Sequence, residues 1–546
     1  MFAVEPFTRK AFDEALRSPE CLVSTVQDDA HAKYLFEYLD HEDVAAKTIV
    51  VERDYVDRDY LQDYTAFYAT SFYPYNRFCS RVHFFNIELD KRSFAEIIRG
   101  NAKPETQKRF DNSYLGFIVV RPLSDAVIGR TQLRPYASPG KSGKVRFYSG
   151  VRRYDVNLFG TTVAVESMAF QEQDKAVAAC ATVALWSCFQ KTARLFGTPT
   201  PRPPTITTDA TSSFALRRAM PSTSLAAEQI VSAIKANGLD AEEFSREALT
   251  PGLIYGYLSA GIPVLLIVHV EGYDDDLHAV AINGYSFMND RLGEEVRLGE
   301  EWIPRDTRVP RKKRGKPDFP TVGMRVKEFY AHDDQVGPFT HLYVNRPTKI
   351  TTPFTMYGSW PKKGDPGAWA TITPRQAIVP VGRKIRLSYL DVKVALRAPI
   401  AAAATAVLEH ARIGRAGHEW DIHLTTTTRY KSSIRSEQNI AQDRRDYLLQ
   451  ASQPKYFWRC ILRRSDGLDL MEVCFDATLS SKSTPVFLVN YFEPSFAQLF
   501  LKYLEPEAHG ARVGYLRTML LREYTVTTRK AADQLRGRRA TDPARQ

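Results

Sequence analysis

The chain is poor in cysteine, with six (Cys21, Cys79, Cys180, Cys188, Cys460 and Cys474) among 546 residues. No two are spaced C-x-x-C, which argues against a zinc ribbon or a dithiol redox motif, and six are too few to staple a fold of this length. They are expected to be thiols in a reducing compartment, most of them small core residues. Long apolar runs are missing as well. The longest, Ala260–Val270, is about eleven residues against the roughly 20 needed to span a bilayer. The opening stretch MFAVEPFTRKAFDEALR lacks the apolar centre of a signal peptide. Together these absences predict a soluble cytoplasmic protein with no membrane association.

Hydrophobic residues make up 44% and charged residues 25% of the chain, which excludes a disordered, collagen-like or low-complexity polymer. At roughly 100–200 residues per domain the length predicts about three domains. The net charge of +11, from 74 basic and 63 acidic residues, would suit an anionic partner. It is concentrated only in Arg305–Lys316 (RDTRVPRKKRGK) and Arg529–Arg539 (RKAADQLRGRR). Such runs read first as solvated loops or tails. The alternative, nucleic-acid binding through them, predicts an affinity that falls steeply with salt.

Aromatic residues three to five apart in Val51–Phe72 (Tyr55, Tyr60, Tyr64, Phe67, Tyr68) predict an amphipathic helix whose tyrosines are core. Arg81–Ile87 and Tyr114–Val120 read as strands. The Pro/Thr-rich segment Gly197–Thr208 reads as a surface excursion rather than a helix. Ser224–Asn237 reads as a helix capped by Ser224 and closed by Gly238. Pro263–Val270 and His278–Ile282 read as buried strands joined by a polar turn. Pro353–Trp369, rich in Pro, Gly and Trp, reads as a linker or long loop. Beyond it come an alanine-rich helix (Pro399–Arg412), a hairpin (Tyr456–Arg463 and Leu468–Phe475), a strand (Pro485–Tyr491) and a helix (Ser495–Leu504).

Three pieces of the middle block carry chemistry. Gln173–Phe189 (QDKAVAACATVALWSCF) is apolar on every side in its later part, as a buried central helix is. Cys180 sits where that helix should begin, so its thiol feels the positive end of the helix dipole, which favours thiolate. Cys188 lies deeper and lacks that advantage. His278, at the head of an apolar strand, can take a proton from a thiol and return it to a leaving amine. Tyr330–Phe339 (YAHDDQVGPF) offers a strand-end carboxylate that can accept the second ring N–H of the histidine. Gln173, seven residues before Cys180, can help hold an oxyanion.

Gln, a helix-borne Cys, a His in an "HAV" strand after GIPVLLIV, and a strand-end Asp follow in that order. In this the block, roughly residues 160–345, resembles the papain-like cysteine peptidase superfamily, and especially its branch of bacteriocin-processing, double-glycine-leader peptidases. The resemblance implies a catalytic triad of Cys180, His278 and Asp333, with Gln173 at the oxyanion and neither a metal nor an organic cofactor. Asp334 competes with Asp333, and Gln171 with Gln173. Ala181 stands where the family usually has Gly after the cysteine, and the basic segment Arg305–Lys316 separates the histidine strand from the aspartate strand. No transporter accompanies the block, so cleavage coupled to export is not implied.

The expected fold is therefore α+β. It has an N-terminal accessory region (1–150), a papain-like domain (151–345) with a Cys-bearing helix on an antiparallel sheet bearing His and Asp, and a C-terminal accessory region (346–546) with a basic tail. The expected activity is hydrolysis of a protein or peptide, with the flanking regions binding the substrate or a partner protein. A binding or scaffold protein with its chemistry idle is the alternative.

Overall fold

A computed structural model describes residues 2–17, 30–123, 126–174, 180–212, 225–273, 277–288, 319–345, 354–410, 418–436, 440, 442–464, 467–479 and 486–503. The basic segments Arg305–Lys316 and Arg529–Arg539, and Cys21, lie outside the described residues. The architecture is mixed α+β, and no described helix is long and apolar enough to cross a membrane. The described chain falls into two units. The first takes residues 2–250, 261–288 and 326–383, and the second 251–260, 319–325 and 384–503.

In the first unit, runs of β-branched and aromatic residues build a five-stranded antiparallel sheet in the order β1-β2-β3-β4-β5. The strands are β1 (Phe2–Pro6), β2 (Thr48–Tyr55), β3 (Cys79–Phe85), β4 (Tyr114–Val120) and β5 (Ile128–Leu133). Residues of alternate parity enter two cores. Ile49, Val51, Val82, Phe84 and Val120 pack with α1 (Arg9–Leu16) and α2 (Ala30–Asp40). Val50, Phe85, Phe117 and Val119 face the other way. That second core also takes residues of α3 (Arg58–Ala66), α4 (Lys91–Ile98) and α5 (Pro104–Ser113), and of the hairpin β6 (Arg152–Leu158) and β7 (Thr161–Ser167). The stretch Val51–Phe72 is thus not one helix. Val51–Tyr55 completes β2, whose β-branched run is 48–51, and Asp57 starts α3 by accepting from the amides of Asp59 and Tyr60. Its tyrosines 60 and 68 are core, as expected.

The helix α6 (Cys180–Phe196) is buried from Ala181 to Gln190 on every side. It is followed by α7 (Pro203–Ser212) and α8 (Ala227–Ala236). The helix α7 corrects the reading of Gly197–Thr208 as irregular: Pro203 and Pro204 occupy the first turn, where a missing N–H costs nothing. The residue at the N-cap of α8 is Ala226, whose amide is taken by the Gln229 side chain. Gly238 closes the helix at φ +81°, a left-handed conformation that glycine adopts without strain; Ser224 lies outside the described residues.

The second sheet has the order β13-β12-β11-β10-β9-β14-β8, with an additional pairing of β13 to β14. Its strands are β8 (Asp240–Ser245), β9 (Val264–Val270), β10 (His278–Phe287), β11 (Val326–Asp333), β12 (Gly337–Asn345), β13 (Thr355–Lys362) and β14 (Asp365–Val381). The long β14 pairs with β13 through its first half and with β9 and β8 through its second. The antiparallel pairings among β9 to β14 therefore close a ring of six strands, and α6 packs on β9, β10, β11 and β14. The linker expected at Pro353–Trp369 is instead β13 and the start of β14. Pro361 within it, and Pro374 further along β14, are tolerated because the register shifts beside each, where a strand can spare a ladder N–H. The described residues on either side of positions 150 and 345 (2–250, 261–288 and 326–383) thus fall in one unit, while 251–260 and 319–325 group with the residues after 383.

In the second unit, α9 (Pro251–Leu258), α10 (Tyr389–Leu396), α11 (Ala402–His410), α12 (Thr427–Ser436), α13 (Gln442–Gln450) and α14 (Pro494–Tyr503) accompany an antiparallel sheet of β15 (His418–Thr426), β16 (Tyr456–Arg464), β17 (Asp469–Asp476) and β18 (Val486–Tyr491). The expected hairpin, strand and final helix are all present. The alanine-rich helix starts at Ala402, because Pro399 falls in a wider π-helical turn, Arg397–Ala401.

Candidate active site

The described part of α6 begins at Cys180, which is partly exposed, while Cys188 is fully buried two turns further on. Burial alone pushes the Cys188 thiol far up, so it stays protonated and inert. His278 is the first residue of β10, and Asp333 the last of β11. Because β10 and β11 are antiparallel neighbours, the head of one lies beside the tail of the other. Fifty-five residues of sequence separation thereby collapse to a hydrogen bond of 2.9 Å from His278 Nε2 to Asp333 Oδ1.

The Cys180 side chain is close enough to the imidazole to help raise its pKa. With Nε2 committed to Asp333, Nδ1 is the ring nitrogen left for the sulfur. Cys180, His278 and Asp333 are thus brought together in the order sulfur, imidazole, carboxylate. His278 is 4% exposed and Asp333 1%, so the pair works in a dry environment where charge interactions are strong. Burial disfavours a cationic ring. The charge and hydrogen bond of Asp333, the Cys180 side chain and the charge of Asp334 outweigh it, and the His278 pKa rises well above the usual histidine range. Burial likewise opposes ionisation of Asp333, but His278 and the hydrogen bonds it accepts bring its pKa below the usual carboxylate value.

Those bonds come partly from a residue that sequence reading missed. Trp360 Nε1 donates to Asp333 Oδ2 at 2.8 Å, and the amide of Gln335 donates to Oδ1 at 3.0 Å. The Trp360 ring also stands edge-on to the His278 ring, with centroids 5.4 Å apart. Trp360 lies on β13, in the stretch whose Pro/Gly/Trp content read as a linker. The one usable signal was a large indole beside strand-like Thr355-Met356-Tyr357.

Asp334 plays a different part from Asp333. Its Oδ1 lies 3.7 Å from His278 Nε2, and neither carboxylate oxygen has a hydrogen-bond partner. Burial first, then the charge of Asp333, raises its pKa to about 7 against the pull of His278. The Asp334 carbonyl contacts His31 Nε2 at 2.8 Å, and His31 Nδ1 lies 3.5 Å from Glu172 Oε1. Through His31, on α2, the N-terminal residues join the aspartate turn to the stretch that carries both candidate glutamines. Gln173 is half-buried. Gln171 is 2% exposed, and its Nε2 is buried without a hydrogen-bond partner.

His278, Asp333 and Asp334 present ligand atoms within 4.8 Å of one another, a set that a divalent cation could use. Both oxygens of Asp333 are already occupied by protein donors, however, so a cation would have to displace the bonds that orient the histidine.

No family model, no curated protein and no solved structure matches this chain.

Proposed function

We propose that this protein is a papain-like cysteine peptidase acting on a protein or peptide. The observation that carries the reading is the meeting of three side chains: His278 Nε2 lies 2.9 Å from Asp333 Oδ1, and the partly exposed thiol of Cys180, on α6, adds to the rise of the His278 pKa. A Cys-bearing helix laid on an antiparallel ring of strands that supplies His and Asp is consistent with the same family.

In this reading the protonated ring and the sulfur form a thiolate–imidazolium pair. The Cys180 sulfur adds to the scissile carbonyl carbon, and the C=O π pair moves onto oxygen. Collapse of that adduct breaks the C–N bond, with the imidazolium proton passing to the leaving nitrogen. A water then loses a proton to the neutral imidazole as it attacks the thioester. Loss of the thiolate frees the carboxylic acid and restores the starting pair. Asp333 is the orienting group: it fixes which ring nitrogen faces sulfur and stabilises the cation, and Trp360 in turn fixes Asp333. The oxyanion donors are a backbone N–H at the start of α6 and one of the two upstream glutamines. Its unpartnered buried amide favours Gln171 over Gln173.

The test is a peptidyl electrophile directed at thiols, followed by peptide mapping of the adduct. Labelling is expected on Cys180 and is expected to disappear in Cys180→Ala. A label on Cys188, or none on any cysteine of the folded protein, overturns the reading. Labelling of Cys180 without turnover of any peptide library would return the protein to the class of idle binding scaffolds.

A further inference from the structure

Away from the thiol, the first unit holds a cleft of about 250 Å³ whose walls include Arg58, Arg130, Arg152 and Arg202. We propose that this cleft binds a small, multiply charged phosphate compound, a phosphate ester or pyrophosphate of about its own volume.

Four guanidinium groups face two nearby carboxylates, and the carboxylates are unevenly shared. Arg130 takes most of their charge, with its terminal nitrogen 2.7 Å from Asp57 and its Nε 3.6 Å from Asp59. Arg202 reaches Asp59 only at 3.6 Å and otherwise donates to the carbonyl of Arg58 at 3.2 Å. Arg58 is exposed at the start of α3, and among the described residues its side chain has no ion pair. Arg152 has none either: it lies over the Tyr154 ring at 3.9 Å and donates to Gln190 Oε1 at 3.0 Å. The cleft therefore carries about two more positive than negative charges in a concave space, where a field of one sign is focused.

Two donors in the wall are unfilled. Arg152 Nε is buried with no hydrogen-bond acceptor, and Arg130 Nε is buried with only the Asp59 carboxylate at 3.6 Å, beyond hydrogen-bond distance, conditions that an anion would relieve. Planar guanidinium forks match the oxygens of a phosphoryl group in pairs, which distinguishes such a site from one for a single carboxylate. The aromatic faces are not available for stacking a base, because Tyr154 is covered by Arg152 and Trp186 is 1% exposed. This favours a compact phosphate over a strand of nucleic acid, whose binding leans on exposed aromatic platforms. Trp186 and Gln190, on the far wall, belong to α6, so an occupant would touch the helix that begins at Cys180.

Calorimetric titration of the full-length protein with inorganic pyrophosphate, at ionic strength held constant with sodium chloride, tests the assignment. Saturable binding at one site is expected. Arg58→Gln and Arg202→Gln should each weaken it roughly tenfold, the loss of one charge-assisted contact. Arg153→Gln, an exposed arginine next in sequence that does not line the cleft, should leave it unchanged, and so should Cys180→Ala. Arg58 is exposed and its replacement should not perturb folding, so its result stands even if Arg202→Gln proves unstable. Absence of saturable heat, equal affinity in Arg58→Gln, or binding of a single-stranded oligonucleotide where pyrophosphate fails would each overturn the proposal.

Discussion

The strand β11 carries two buried histidine–carboxylate pairings on its opposite faces, and they are built to opposite ends. On one face Glu328, fully buried, accepts from Ser286 Oγ at 2.7 Å and Tyr330 Oη at 2.6 Å, contacts His341 Nδ1 at 3.0 Å and pairs with Lys144. Burial alone would raise its pKa, but His341 and Lys144 hold the carboxyl far below the usual range. Both carboxylate oxygens thus have protein partners. On the other face Asp333 is equally buried and well bonded, yet its histidine has a partly exposed thiol, Cys180, close enough to shift its pKa, and the neighbouring Asp334 is left without a hydrogen bond. His332, between the two faces in sequence, shows what burial does without a charge partner: its pKa falls to about 4, and it bonds the Met168 carbonyl as a neutral ring. A satisfied network stabilises a fold. A network with one reactive bond and one unfilled acceptor is the arrangement expected of chemistry.

Substitutions on the two faces should have opposite effects. On the proposed peptidase reading, Asp333→Asn should cut turnover by roughly 10²–10⁴-fold while labelling of Cys180 persists at a reduced rate, because the wrong ring tautomer then faces sulfur. Steady-state kinetics beside a labelling time course would check this. Glu328→Ala should do the reverse. It should cost about 3–5 kcal/mol of stability in denaturant unfolding by stranding Lys144 and His341, with turnover per folded molecule preserved. A comparable loss of turnover in that variant would show that the two faces are not independent.

Asp334→Asn probes the unfilled acceptor. In the folded protein Asp334 keeps its proton up to about pH 7, whereas in the unfolded chain it loses it near 3.9. The native state therefore binds more protons across that interval, and this residue makes stability fall as pH rises from about 4 to 7. The variant should remove the fall and gain on the order of 4 kcal/mol relative to the parent at pH 8, with little difference near pH 4, measured by urea unfolding at both values. The raised pKa of His278 works in a different window. Its contribution is complete below about pH 6.5 and is lost as pH climbs through its higher folded value. Smallest in effect, Trp360→Phe keeps the ring against His278 but removes the bond to Asp333 Oδ2. Turnover should drop about tenfold, with the unfolding midpoint little moved.

How far all this could be read from the chain depends on the range of the forces involved. Tyr114–Val120 forms a strand with the expected limits, and the helix from Cys180, buried on every side from Ala181 to Gln190, is where its composition put it. Both follow from local patterning of apolar side chains, which acts over a few residues. The thiol, imidazole and carboxylate could be nominated because each sits at the end of such an element. Composition misled where tertiary pairing overrode it. Pro353–Trp369 became β13 and the start of β14 because strands on either side supply ladder partners and bulges absorb the prolines, and α7 formed across a Pro-Pro step.

By itself the sequence determined the elements that bear Cys180, His278 and Asp333, since side-chain periodicity and caps are local. Only the tertiary structure chose Asp333 over Asp334, brought Trp360 to the carboxylate, tied His31 to the aspartate turn and gathered four arginines around one cleft. Those outcomes hang on antiparallel register and on contacts between residues far apart in sequence, which no run of neighbouring residues encodes.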